Sequence, residues 1–370
     1  MEERSKVHVG LDVHKDSISV ASAAPGRGPA TVVGKVAHDV GKLVKVLARL
    51  GEAGDLHLVY EAGPTGYGLQ RALSSRGYHC EVIAPSQMPR RPGDRVKTDG
   101  RDCVQLAECS RAGQLRAVWV PEPADESIRD LARAREDAVN ARTQARLQLK
   151  SFLLRHDVRY TGKTAWCGAH ERWLARLSFD GAATQTAFTE YCLAVKSADE
   201  RVQRLGQALL GSVKGWRFEP VVQALQALRG VAAVTAIGLV CEIGDLQRFE
   251  HPRRLMGYLG LVPSERSSGQ RTHRGSITKA GNTHARRLLT EAAWNYRFKP
   301  RIGKEMQARQ ERLSEAVRTM AWKAQLRLTQ RFKALRERGV QANKACIAVA
   351  RELAGFIWAI ARQAHVEQAP

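Results

Sequence analysis

The chain has no apolar run long enough to cross a bilayer. Residues 230–241 are too few, and the apolar stretch near the C-terminus is broken by Arg351 and Glu352. It also lacks the apolar core of a secretory signal, because Met-Glu-Glu-Arg-Ser-Lys leads straight into a strand pattern, so the expected location is the cytoplasm, with no membrane partner. The seven cysteines are scattered without a C-x-x-C pair, which argues against a disulfide framework and against a zinc ribbon. Cys167 and His170 have metal-like local spacing but no second pair, and they read as ordinary residues of a reducing compartment. Acidic residues are scarce: Asp+Glu 37 against Lys+Arg 59 leaves a net charge of +22 and a pI near 10.2. The simplest partner for such a chain is a polyanion. Nucleic acid is favoured over a membrane surface, because the basic residues run through the whole chain and are densest after residue 250.

What is present suffices for two domains and a sizeable core, at 370 residues and 44% hydrophobic content. Val7, Val9, Leu11 and Val13 alternate with His8, Gly10, Asp12 and His14, which predicts a first strand with Asp12 on the face opposite the apolar residues. A carboxylate is a poor strand residue, and a solvated turn is its ordinary explanation. Only partners elsewhere in the chain give it a role. A second strand to residue 22 and a third over Thr31–Ala37 follow, then a helix over 40–50 and a buried strand from Leu56 that ends on Glu61. A helix over 67–76 and a strand over 79–84 complete an α/β pattern with a mixed sheet. Sites in such sheets collect at the carboxyl ends of parallel strands, and Asp12 and Glu61 both lie there if the first three strands form a meander.

A basic loop broken by Pro and Gly, with Arg90 and Arg91, then leads into a helix opened by Asp99-Gly-Arg-Asp102. One explanation is capping, with Asp99 at the N-cap and Asp102 in the first turn. The other is that the i, i+3 spacing aims both carboxylates at a divalent cation. Four carboxylates can hold two hard cations and leave positions for phosphate oxygens, and Asp12, Glu61, Asp99 and Asp102 make up such a set.

The combination of Gly-Leu-Asp-Val-His-Lys (10–15), Glu-Ala-Gly-Pro-Thr-Gly (61–66) and Lys-Thr-Asp-Gly-Arg-Asp (97–102) resembles the DEDD transposases of bacterial insertion sequences, the relatives of the Piv invertase. The resemblance implies an RNase H-like, RuvC-type N-terminal domain whose four acidic positions fall on Asp12, Glu61, Asp99 and Asp102. The C-terminal half carries the family's second motif, 256–269 continuing to 274–282. Physically this is a glycine-punctuated basic loop with Arg266, Arg271, Arg274 and Lys279 for phosphates, followed by a helix from about Thr283 carrying Arg286 and Arg287. The resemblance places the nucleophilic serine before the glycine, at Ser268, with Ser267 beside it leaving the assignment open by one position.

Between the two motifs, 122–155 is an uninterrupted helix pattern with Leu131, Ala138, Ala145 and Phe152 at heptad spacing. A coiled-coil-like arm and a surface helix packed on its own domain are both open, and the resemblance favours an arm used in assembly. Residues 156–225 are mixed helix and loop with Trp166, Trp173 and Trp216, and 225–237 reads as a helix, a glycine turn and a helix. That shape fits either a helix-hairpin-helix phosphate contact or a plain helical turn. Ile302 to Gln363 predicts two basic packing helices separated near Gly339.

The expected organisation is an RNase H-like DEDD domain over 1–120, a helical arm and linker over 121–224, and a mostly α transposase domain over 225–370. Composition and spacing alone support a basic, metal-dependent nucleic-acid enzyme. The resemblance adds DNA transposition or site-specific recombination with two Mg²⁺ ions, a phosphoserine intermediate, donor and target DNA, a structured guide RNA and a homo-oligomer, dimer or tetramer. Three rivals stand beside it. A RuvC-like nuclease or Holliday junction resolvase would cut by water attack. An actin-like sugar kinase would want a glycine-rich hairpin where Val13-His14-Lys15 stand. A non-enzymatic nucleic-acid-binding protein would leave the acidic quartet unexplained.

Overall fold

The structure, a computed structural model, describes residues 6–88, 98–268 and 271–367. Arg90 and Arg91 lie outside the described residues. The chain forms two compact units, 1–120 and 121–370.

In the first unit, strands β1 (Val7–Val13), β2 (Ser17–Ala23) and β3 (Thr31–Ala37) form an antiparallel meander. Helix α1 (Val40–Leu47) leads to β4 (Leu56–Glu61), which pairs with β1 in parallel, and α2 (Gly68–Ser74) leads to β5 (His79–Ile83), parallel to β4. The sheet order is β3-β2-β1-β4-β5, the mixed sheet that the strand pattern predicts. Strand alternation sorts its two faces. Val9, Leu11, Leu58, Tyr60 and Val82 point to one side and pack on Leu43 and Leu47 of α1 and on Leu69 and Leu73 of α2. Gly10, Val59 and Ile83 point to the other, where α3 (Asp99–Arg111) lies with Leu106 against Val59 and Ile83.

Gly10 sets how close α3 comes. A Cβ at this position would overlap the carbonyl oxygen of Cys103 and stand 2.7 Å from the backbone nitrogen of Ala107. Backbone therefore meets backbone where β1 crosses α3, and the first turn of α3 is drawn toward the carboxyl end of the strand.

The second unit is helical apart from one hairpin. Helix α4 (Pro123–Arg155) precedes the short α5 (Gly168–Leu174), and α6 (Ala182–Ser212) returns along α4. Arg146 binds Asp199, and Phe152 stacks near Phe188, whereas Ile128 shares a core with Leu209 and Val213, so the two long helices are antiparallel. The heptad positions Ala138, Ala145 and Phe152 of α4 are buried, and α6 presents Phe188, Val195, Val202 and Leu209 at the same spacing. The seam of α4 is thus covered by α6 of its own chain. A ring cluster of Phe152, Phe179, Phe188 and Tyr191 closes the far end.

Beyond the hairpin of long helices come α7 (Glu219–Leu225), α8 (Ala233–Ile243) and α9 (Pro252–Tyr258). Strands β6 (Pro263–Ser268) and β7 (Arg271–Ile277) follow, then α10 (Thr283–Ala293), α11 (Lys304–Gln310), α12 (Glu315–Glu337) and α13 (Ala342–Val366). Helix α13 is the centre of this core: Ala345, Val349, Leu353, Ile357, Ile360 and Ala364 are buried at helical spacing.

One buried carboxylate ties α4, α8 and α10 together. Glu242 of α8, 3% exposed at its side chain, accepts from Arg133 Nε at 2.8 Å and from its terminal nitrogen at 3.0 Å. Asn282 Nδ2 donates to it at 2.6 Å, and His284 Nδ1 lies 3.3 Å away, while the other ring nitrogen of His284 faces Glu136. Asn282 also caps α10, accepting from the backbone N–H of Ala285 at 2.9 Å. Burial raises the Glu242 pKa, but the hydrogen bonds from His284, Arg133 and Asn282 outweigh it and hold the carboxyl well below its ordinary value of 4.5.

Two stability predictions follow from these contacts. Gly10→Ala should cost about 1–3 kcal/mol by wedging α3 away from β1, read as a lower denaturation midpoint, and an unchanged midpoint would contradict the close packing. Because the folded-state pKa of Glu242 is depressed, its contribution is present above pH 4.5 and lost as pH falls below that value. Glu242→Gln should therefore lose about 1–3 kcal/mol at neutral pH, a range discounted for the half-exposed Arg133, and should show a flatter acid-stability profile between pH 4.5 and pH 3. Urea titrations at several pH values test both parts.

Candidate active site

Asp12 stands near the carboxyl end of β1, and the parallel register that pairs Leu11 with Tyr60 places Glu61 beside it at the end of β4. Both fall on the face that carries α3. The N-cap of α3 is Thr98, with no side-chain cap bond, so Asp99 is the first helical residue and not the cap. Its carboxylate turns instead to the sheet. It accepts from Lys35 Nζ at 2.9 Å and lies 3.6 Å from His14 Nε2, which is itself 3.1 Å from the Asp12 carboxylate. Asp12, His14 and Asp99 offer donor atoms that all lie within 4.8 Å of one another. Asp102, one turn along α3, acts on Asp12 through its charge.

The electrostatics of this cluster centre on Asp12. Burial raises the Asp12 pKa, the charges of Asp102 and Asp99 push it the same way, and His14 only partly opposes them. Lys35, through its hydrogen bond and its charge, lowers the pKa of Asp99. Oxygen donors crowded at the mouth of a sheet suit a hard divalent ion, which would relieve their mutual repulsion. The sequence pattern did not single out His14 or Lys35. His14 had a signal, because it sits two residues after Asp12 and hence on the same side; Lys35 had none short of the register, which sets Asp12 opposite Ser19 and Ser19 opposite Lys35.

In the second unit the basic loop is an exposed antiparallel hairpin, with Arg266 opposite His273 and Ser268 opposite Arg271. Two glycines seat its base. A Cβ on Gly260 would overlap the carbonyl of Ala280, and one on Gly281 would overlap that of Tyr258, both at positive φ. The two serines face opposite ways. Ser267 donates to the Glu265 carboxylate at 2.8 Å, and Arg274 Nε donates to the same carboxylate at 3.4 Å. Ser268 is exposed. Arg266, Arg271 and Lys279 are exposed. Arg286 is engaged internally, donating to the carbonyls of Leu259 at 2.9 Å and Ala280 at 3.0 Å, and Arg287 pairs with Glu136 and, at 2.7 Å, with Glu291.

Comparison with known proteins adds the lineage. Residues 9–156 match a family described as Transposase, the DEDD type of IS110 elements, and residues 222–309 match the family described as Transposase IS116/IS110/IS902 family. Among curated relatives, the chain is 48% identical over 359 residues to y4qE of Sinorhizobium fredii, named as a transposase, covering 96% of this chain and 89% of that protein. It is 31% identical over 337 residues to the transposase for insertion sequence element IS1533 of Leptospira borgpetersenii, covering 90% of this chain and 97% of that protein. The transposase for insertion sequence element IS1111A of Coxiella burnetii is 26% identical over 298 residues, 78% of this chain and 73% of that protein.

Proposed function

From the premise that the chain belongs to the IS110-type family of insertion-sequence transposases, we propose that it cuts and rejoins DNA with two motifs. Asp12, Glu61, Asp99 and Asp102 hold divalent cations, two Mg²⁺ ions in this reading, and Ser268 is the nucleophile. The observation that carries the proposal is the convergence of Asp12, Asp99 and His14 at one end of the sheet, with Glu61 in register beside Asp12. Bound there, the cations supply charge neutralisation of the phosphate and of the leaving oxygen.

The chain's own side chains do the rest. His14 orients the Asp12 carboxylate through its 3.1 Å contact, and Lys35 fixes Asp99 from the sheet side. The exposed hydroxyl of Ser268 attacks a DNA phosphate, forming an Oγ–P bond as a deoxyribose oxygen leaves. The neighbouring Ser267, already bonded to Glu265, is the poorer candidate. Arg266, Arg271, Arg274 and Lys279 bind the phosphates around the reacting one, as do Arg90 and Arg91, whereas Arg286 and Arg287 hold the hairpin's base and α10 in place. The family resemblance implies a structured guide RNA as a second polyanion beside the DNA, which the net charge of +22 accommodates. Exposed Leu147 and Leu154 on α4, with Leu193 and Leu210 on α6, support assembly into a homo-oligomer through the outer faces of the long helices.

Incubating the purified protein with element-end DNA and Mg²⁺, then trapping in denaturant, tests the chemistry. Ser268→Ala should bind DNA and form no covalent adduct, and Asp12→Asn should bind as well or better but leave the strands uncut. An adduct mapped to Ser267 would move the nucleophile by one residue, and free ends without any adduct would replace the serine by water. Nucleic-acid affinity should fall by orders of magnitude between about 50 and 200 mM salt if roughly six or more phosphates are contacted. A flat salt titration would refute the electrostatic interface, and replacing Arg271 or Arg274 should give graded losses.

A further inference from the structure

At the other end of the face that carries Asp12, three imidazoles form a row across neighbouring strands. The registers pair His8 of β1 with His57 of β4, and His57 with His79 of β5, and the ring centroids are 5.1 and 4.6 Å apart. Glu81 follows His79 by two residues and so shares its face. Its carboxylate lies 3.2 Å from His57 Nε2 and 3.5 Å from His79 Nε2, and the three donors all fall within 4.8 Å of one another.

Those spacings have a specific chemical meaning. Zinc bound tetrahedrally at about 2.0–2.2 Å holds neighbouring donors roughly 3.3–3.5 Å apart, and two imidazole nitrogens and a carboxylate already within 4.8 Å of one another need only small side-chain adjustments to reach that spacing. Two imidazoles and one carboxylate are the donors of zinc and its neighbours in the first transition row, whereas Mg²⁺ prefers oxygen alone. The geometry points to a second metal site, distinct from the acidic cluster, in which His57 Nε2, His79 Nε2 and Glu81 bind a divalent transition ion of the zinc class.

The surroundings fit an ion that arrives from solvent. The side chains of His57, His79 and Glu81 are 19%, 53% and 31% exposed, and β5 is an edge strand of the sheet. His8 is held against His57 by a 2.8 Å hydrogen bond between its Nδ1 and Ser110 Oγ, which fixes the ring beside the site and leaves the fourth ligand position to water or to an incoming group. The separation from the acidic cluster is set by β1: His8 and Asp12 are four residues apart, about 13 Å along the strand. An ion bridging β4 and β5 would clamp the edge strand to its neighbour.

The test uses the full chain, stripped with chelator, in an Asp12→Asn/Asp99→Asn background that removes the acidic cluster. Titrated with Zn²⁺ in a calorimeter, this protein should bind one equivalent and unfold at a higher temperature, and Co²⁺ should give the visible absorption of a tetrahedral site. Adding His79→Gln, at a half-exposed position that leaves the fold intact by circular dichroism, should weaken Zn²⁺ binding by at least roughly tenfold and abolish both the midpoint rise and the Co²⁺ band. Glu81→Gln should do the same. No binding in the background protein would overturn the proposal, as would binding unaffected by His79→Gln, which would put the ion elsewhere in the chain.

Discussion

Everything at the carboxyl end of the first sheet depends on a backbone-to-backbone contact between β1 and α3. Strand and helix usually meet through side chains, which keeps their axes well apart; the absence of a Cβ at Gly10 removes that spacer. The result is that the first turn of α3, with Asp99 and Asp102, is held over the strand end that carries Asp12. Burial, and after it the charges of Asp102 and Asp99, raise the Asp12 pKa, and the contacts of His14 and Lys35 with Asp12 and Asp99 offset only part of that cost.

Much of this was legible in the order of the residues. Strand alternation in 7–13 put Asp12 on the correct face, and the meander of the first three strands made β1 and β4 parallel neighbours, which sets Glu61 next to Asp12. What could not be read were contacts made by register across two strands, as with Lys35 and Asp99, and the position of the helix start, where Thr98 takes the cap and frees the Asp99 carboxylate for the sheet. The pattern over 156–225 shows helix mixed with loop but not the length of α6 or its pairing with α4, because its buried seam is a single residue per heptad, Phe188, Val195, Val202 and Leu209, among polar and small neighbours. Its presence explains the thin seam of α4, which is wide enough for one partner helix and has found it in the same chain.

The second unit solves a different problem, that of holding an exposed two-stranded hairpin in a fixed direction without a sheet behind it. Gly260 and Gly281 let the chain entering the hairpin lie against the chain leaving it, and Arg286 binds carbonyls from both sides of that junction. The Asn282 cap then couples the junction to the buried Glu242, and through it to α4. Alternation within β6 does the final sorting: Ser267 is turned toward Glu265, and Ser268 is turned away from it, beside Arg271 on the paired strand. A glycine-rich basic motif that looks like a flexible loop in sequence is therefore a directed element, and its serines are chemically inequivalent although adjacent.

On the first sheet the two ends of one face carry different donor chemistry. The carboxyl ends of β1 and β4 gather mainly carboxylates, with His14, at the start of a helix, while the amino ends of β1, β4 and β5 gather three imidazoles with Glu81 at a sheet edge. Alternation makes this separation possible, because residues 8, 10 and 12 of β1 share a face and differ only in distance along the strand. Gly10, in the middle, is where α3 presses closest, so the apolar contact of Leu106 with Val59 and Ile83 lies between the two polar ends. That apolar strip separates the cluster of Asp12, His14 and Asp99 from the cluster of His57, His79 and Glu81, so each forms its contacts locally.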